Sequence, residues 1–221
     1  MRLLLTCFGP FPGVPVNPTQ RIAAALVAVL GEEANITLRE LPVSYAGSSA
    51  ALESELAAET YDAVLSLGVA VGRSRIGIER VAINLDDARI EDNDGVRLHD
   101  APIAPGGPAA YFSTLPVRAL YESARAAGYP VEISDTAGTY VCNHVMYTVQ
   151  HLLAESGAQI PAGFIHIPAV DFASSDEGNK VESMTAHRDA GGVEGHTIPT
   201  LPERTVVNAL AHMIRELASS V

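Results

Sequence analysis

The sequence predicts an α/β protein whose largely parallel sheet is covered by helices on both faces. Short apolar runs bounded by turn residues alternate along the chain with longer segments of helical periodicity. That strand–helix–strand order requires crossover connections, which bury parallel strands between helical layers. The 221 residues are 48% hydrophobic but only 5% aromatic, which suits a core of Ala, Val, Leu and Ile.

Each element has a local reason. Residues 3–6 form a short buried strand. Pro18–Leu30 forms a helix, with Asn17 as N-cap, Pro18 in the first helical position and Gly31 past the end. Residues 36–43 alternate weakly, as a strand does. The Ala/Leu/Glu-rich stretch 48–59 is helical. Residues 63–67 form a buried strand, and 80–85 a strand of period 2. A helix over 118–127 is stopped by Gly128 and Pro130. A short strand over 131–134 precedes an apolar helix over 141–154. Residues 163–167 form a strand closed by Pro168, and 202–218 an amphipathic final helix. Residues 86–108 and 169–201 are rich in Gly and Asp and take no regular pattern; long loops of this kind often carry function. No linker composition divides the chain, so 1–221 is expected to be one domain.

Composition excludes several classes. A net charge of −12 from scattered acids disfavours phosphate backbones, so no nucleic-acid partner is expected. The apolar opening is too short for a signal peptide, and no run approaches the roughly 20 apolar residues of a membrane span. A soluble cytoplasmic protein with no membrane partner is the expectation. There is no His-Glu-x-x-His and no Cys-x-x-Cys, so no zinc ligand set is expected. Gly68 and Gly72 lack the Lys-Ser/Thr of a phosphate loop, and Gly-x-Ser-x-Gly is absent.

The chemistry concentrates at residues 134–144. There a strand passes through small residues into a helix that places Cys142 at its N-terminus. Free N–H groups and the positive dipole end favour a thiolate and can also hold an oxyanion. The competing reading is a small buried residue filling a strand–helix junction. Cys7, at the end of the first strand, has no such setting and reads as core. Cys142 needs a base. His144 lies two residues away, on another face of the helix, and His151 lies further down it. His166 lies near the end of the strand before Pro168, at a carboxyl edge of the sheet where ligands gather in open α/β folds. His187 and His196, in the late loop, remain competitors. Glu79, beside Arg80, is either the group that orients the base or an ordinary surface carboxylate paired with an arginine; spacing does not choose between them.

With these residues in view, the chain resembles the pyroglutamyl peptidase I (pyrrolidone-carboxylate peptidase) family over nearly its whole length. The segments carrying the resemblance, in the family's order, are Thr6-Cys7-Phe8-Gly9-Pro10-Phe11 with Val16-Asn17-Pro18, then Glu79-Arg80-Val81-Ala82-Ile83-Asn84, then Asp87-Ala88-Arg89-Ile90 with Asp92-Asn93. Ala137-Gly138-Thr139-Tyr140-Val141-Cys142-Asn143 and Gly163-Phe164-Ile165-His166-Ile167-Pro168 complete the set. The resemblance implies a Cys142/His166/Glu79 triad that removes N-terminal pyroglutamate from peptides without metal or cofactor. It also implies a three-layer α/β/α sandwich around a largely parallel, mixed sheet, and a homo-oligomer, a tetramer.

Within that resemblance, Phe8 and Phe11 are candidates to sandwich the lactam ring, and Tyr140 and Val141 to line the same pocket. Asn17 either fixes the loop or bonds the lactam, beside its role as helix cap. Arg89 either supports the oxyanion or pairs within an acid-rich loop. One departure stands out. The family commonly has Gly-Gln-Ala-Gly-Gly-Arg where this chain has Gly68-Val69-Ala70-Val71-Gly72-Arg73. Val69 and Val71 therefore raise two alternatives: a weak or inactive relative that binds pyroglutamyl-like N-termini, or a thiol amidase of altered specificity.

Overall fold

The computed structural model describes residues 1–11, 14, 16–172 and 198–220. Strands β1 (Arg2–Phe8), β2 (Asn35–Leu41), β3 (Ala63–Val69), β4 (Ile76–Glu79), β7 (Val131–Ser134) and β8 (Ala162–Ile167) form one six-stranded sheet in the order β2-β1-β3-β8-β4-β7. The first four in that order are mutually parallel. β4 pairs antiparallel with β8 and parallel with β7, so the sheet is mixed.

Period-2 alternation sends successive side chains to opposite faces. On β1, Leu3, Leu5 and Cys7 join one buried cluster with residues of α1 (Pro18–Leu30), α3 (Val117–Ala126) and α5 (Glu203–Ala218). Leu4 and Phe8 join a second cluster with residues of α2 (Tyr45–Ala58) and α4 (Val141–Ser156). The result is three layers, α/β/α, as expected. Cys7 is a buried free thiol within the first cluster, and burial, reinforced by nearby Glu40, pushes it up to about 12.

The expected helices are present with small shifts at their ends. Asn17 caps α1 through a capping box with Gln20, and its amide also donates to Gly9 O at 3.1 Å. Both ends of this buried side chain are therefore engaged in structure. Asn17→Ala is expected to cost about 1–2 kcal/mol in thermal unfolding; an unchanged melting temperature would remove the cap from the account. α2 starts at Tyr45, earlier than the composition suggests, and α4 ends where Gly157 adopts the left-handed conformation at φ 72°.

Two expectations are corrected. The stretch 80–85 is not a strand of the main sheet. β4 ends at Glu79, and β5 (Val81–Ile83) leaves the sheet to pair with β6 (Ala110–Phe112) in a separate antiparallel ribbon. The buried pair Ile76 and Ile78 belongs to β4, and the half-exposed Arg80 marks the exit. Second, β7 and β8 run in opposite directions, so Cys142 and His166 do not share a carboxyl edge of the sheet. Of the late loop, β9 (Ala169–Asp171) pairs with β10 (Thr200–Pro202); His187 and His196 lie outside the described residues.

Candidate active site

His166 lies in register with a glycine on each side: Gly68 on β3 and Gly77 on β4. A Cβ on Gly68 would sit 2.7 Å from the Phe164 ring and 3.0 Å from the Cys142 sulfur. A Cβ on Gly77 would sit 2.5 Å from Arg73 Nη1. Real Cβ atoms do not approach this closely in packed interiors. The two glycines thus make room on one face of the sheet for sulfur, imidazole and guanidinium. Neighbouring strands are only about 4.8 Å apart, so the sulfur over Gly68 lies beside the strand that carries His166.

Glu79 is fully buried. His166 Nδ1 lies 2.7 Å from its Oε1, and Arg73 Nη1 donates to the same oxygen at 2.7 Å. Oε2 accepts no hydrogen bond among the described residues. The Ser134 hydroxyl, across on β7, donates to Thr136 O instead, at 3.1 Å. Burial by itself pushes the Glu79 carboxyl up, but the bond and charge of His166, the neighbouring Ser134 hydroxyl and the charge of Arg73 together outweigh it. The carboxyl therefore lies below its ordinary range and is ionised. An ionised Glu79 facing Nδ1 selects the tautomer with its proton there, which leaves Nε2 as the free acceptor.

Cys142 is the second residue of α4 and is partly exposed. Among the described residues no side chain caps this helix, and its bond from His144 N to Tyr140 O leaves the first-turn N–H groups outside the helical ladder. Against the sequence expectation of a stabilised thiolate, burial pushes the thiol up to about 12; Glu79 adds to this and Arg73 opposes it. That balance favours the neutral thiol, from which a base that takes the proton makes the nucleophile. Asn143, next in the helix and buried, holds this turn in place. Its Oδ1 accepts from Ile83 N at 3.0 Å, and its Nδ2 donates to Ile83 O and Leu85 O at 2.9 and 3.1 Å.

His144 points away, as its spacing requires. It joins Asp86 Oδ2 and Ser49 Oγ, each at 2.7 Å. This Ser–His–Asp chain has the connectivity of a hydrolytic triad. Ser49, however, lies inside α2, where the helix's own ladder takes the N–H groups an oxyanion needs. The chain is a brace between α2, α4 and the 86–101 loop. His151 meets the Tyr111 hydroxyl at 3.0 Å, remote from Glu79.

The remaining candidates are spread around this centre. Phe8 is buried, with its ring centroid 6.3 Å from that of Phe164. Phe11 is half-buried and exchanges backbone bonds with Val14. Tyr140 donates its hydroxyl to Glu91 O at 3.0 Å and meets Tyr45 edge-on. Val141 is buried in the α2/α4 cluster, and Arg89 is exposed on its loop. Val69 packs on the α1/α3/α5 side, opposite Cys142, while Val71 is exposed in the turn before β4. Sequence reasoning missed Arg73, Asn143 and Asp86. For Arg73, the available signal was an arginine six residues before a candidate buried acid.

The pyroglutamyl peptidase family model matches residues 1–208. Curated relatives include the pyrrolidone-carboxylate peptidase of Escherichia fergusonii, 40% identical over 94% of this chain and 92% of that protein. That of Levilactobacillus brevis is 48% identical over 76% and 82% of the two chains. Among solved structures, a mutant pyrrolidone carboxyl peptidase from the hyperthermophile Pyrococcus furiosus superposes with a TM-score of 0.86, at 36% identity and full coverage of both chains. Pyroglutamyl peptidase I of Bacillus amyloliquefaciens gives 0.83 at 33% identity, covering 99% of this chain and 97% of that one. A sequence match over nearly the whole length and an α/β fold that superposes on these enzymes agree: the chain belongs to the pyroglutamyl peptidase family.

Proposed function

We propose that the chain is a cysteine exopeptidase that removes N-terminal pyroglutamate from peptides through Cys142, His166 and Glu79. The observation that carries this reading is Glu79 Oε1 at 2.7 Å from His166 Nδ1, on the sheet face where the Cys142 sulfur lies against Gly68. His166 Nε2 takes the thiol proton as sulfur attacks the pyroglutamyl carbonyl. Glu79 stabilises the resulting imidazolium. First-turn N–H groups of α4 hold the oxyanion, with Arg89 as a further candidate. The imidazolium then protonates the leaving amine, and water hydrolyses the thioester. Neither metal nor cofactor takes part in this scheme. Phe8, Phe11, Asn17, Tyr140 and Val141 are retained as candidates for the lactam pocket. The reading extends to a single domain over 1–221 and to a cytoplasmic homo-oligomer, a tetramer by resemblance.

The position of Val69 speaks against the inactive-relative alternative. Its side chain packs on the far face of the sheet, so valine there leaves the Cys142 face unchanged. A panel of peptide amides blocked by pyroglutamyl, acetyl, prolyl or formyl groups tests the substrate. The expected outcome is turnover of the pyroglutamyl amide at least about 100-fold above the others, because a site that bonds a lactam N–H and C=O rejects analogues lacking them. Equal rates across the panel would leave a thiol amidase of other specificity.

A further inference from the structure

We propose that Arg73 is a positioning residue of this site, its guanidinium fork holding the Glu79 carboxylate and the loop that delivers Cys142 in one geometry. The inference rests on the Cys142/His166/Glu79 reading and deepens it.

Arg73 lies in the turn between β3 and β4, with its side chain three-quarters buried at 25% exposure. It extends over Gly77, where any Cβ would meet Nη1 at 2.5 Å, and the absence of a side chain there is what lets it reach Glu79. Nη1 donates to Glu79 Oε1 at 2.7 Å, and Nη2 donates to Thr136 O at 2.9 Å. Thr136 belongs to the loop over 135–140 that runs from β7 into α4. One rigid planar group thus ties the acid of the triad to the backbone six residues before the nucleophile. Arginine suits this task because its fork makes two bonds in fixed directions, whereas lysine presents a single point charge.

Electrostatics adds a second contribution. Glu79 Oε1 accepts from both Arg73 and His166, and its partner oxygen has no donor among the described residues. Without Arg73, a fully buried carboxylate would be left with the imidazole and the neighbouring Ser134 hydroxyl. The charged and titratable groups around the pair are Glu79 from β4, His166 from β8, Arg73 from the turn, and Cys142 from the start of α4. Arg73 is the cation that opposes the field of Glu79 at the sulfur. Its removal should therefore raise the Glu79 carboxyl and the Cys142 thiol together.

The test compares wild type, Arg73→Gln, Arg73→Lys and Cys142→Ala on a pyroglutamyl amide, with kcat, KM, the pH profile of kcat/KM and the melting temperature. Arg73→Gln is expected to lower kcat about 10- to 100-fold, as loss of an outer residue that orients a functional group commonly does. KM should change little, and the acid limb of the profile should move to higher pH. Arg73→Lys keeps the cation and should return the limb to its wild-type place while restoring only part of kcat. Wild-type kcat in folded Arg73→Gln, or in Arg73→Lys, overturns the proposal. So does a loss of kcat with an unmoved limb in Arg73→Gln, which marks a purely structural role. If Arg73→Gln does not fold, the partial kcat and unmoved limb of Arg73→Lys decide. A fully active Cys142→Ala would instead defeat the triad reading on which the inference rests.

Discussion

Cys142→Ala is expected to reduce turnover of a pyroglutamyl amide by at least about 10^4-fold, because a catalytic unit that loses its nucleophile retains only binding and oxyanion contributions. Burial pushes the Cys142 thiol up, to about 12, which favours its protonated form at neutral pH. Attack then requires a base to take the proton, and His166 is poised for that by its bond to an ionised Glu79. The pair of charges formed by transfer, thiolate and imidazolium, arises where Glu79 stabilises the imidazolium and first-turn N–H groups favour the anion. Removing the sulfur leaves base and oxyanion donors with nothing to act on. Progress curves at matched protein concentration, with far-ultraviolet circular dichroism to confirm folding, provide the check. A rate within tenfold of wild type would end the thiol mechanism.

Phe164→Ala is expected to destabilise the protein by about 3–5 kcal/mol, among the largest costs for a core truncation. Phe164 is completely buried at the centre of the α2/α4 side of the sheet. Its ring lies 4.8 Å, centroid to centroid, from that of His166, and a Cβ built on Gly68 would meet it at 2.7 Å. The ring therefore supports the imidazole and packs against Gly68, beside which the sulfur also lies. The cavity left by alanine is enclosed by strands β3 and β8 and by Phe8, none of which can collapse far. Urea unfolding measures the loss, and kcat should fall with it as that support is removed. A loss below about 1 kcal/mol would mean that the site relaxes, against the packing argument.

Much of the fold was legible from local rules. The Asn17–Pro18–Gly31 pattern bounds α1 because capping and φ restriction act over a few residues. The apolar runs of β1 and β3 reflect burial on both faces, which leaves a direct mark on sequence. Where Glu79 ends its strand was less legible. Ile76-Gly77-Ile78-Glu79 is only four residues long, and the run after it has the same alternation while belonging to a different ribbon. Short-range pattern cannot say which neighbour a strand pairs with, because pairing is decided by contacts distant along the chain.

By itself the sequence determined the layer order, the candidate residues for thiol chemistry, the exclusion of His144 by helical spacing, and the family. Only the tertiary structure decided how those residues meet. The expected shared carboxyl edge does not exist, since β7 runs against β8; the chain instead brings Cys142 back over the face of the sheet through the 135–140 loop. Glycines at 68 and 77 become meaningful only when they flank His166 in register. The raised Cys142 thiol and the shared oxygen of Glu79 likewise depend on burial and on charges brought together across long chain separations. Periodicity and capping are local and can be read residue by residue. Desolvation and electrostatic coupling depend on what the folded chain places within a few ångströms.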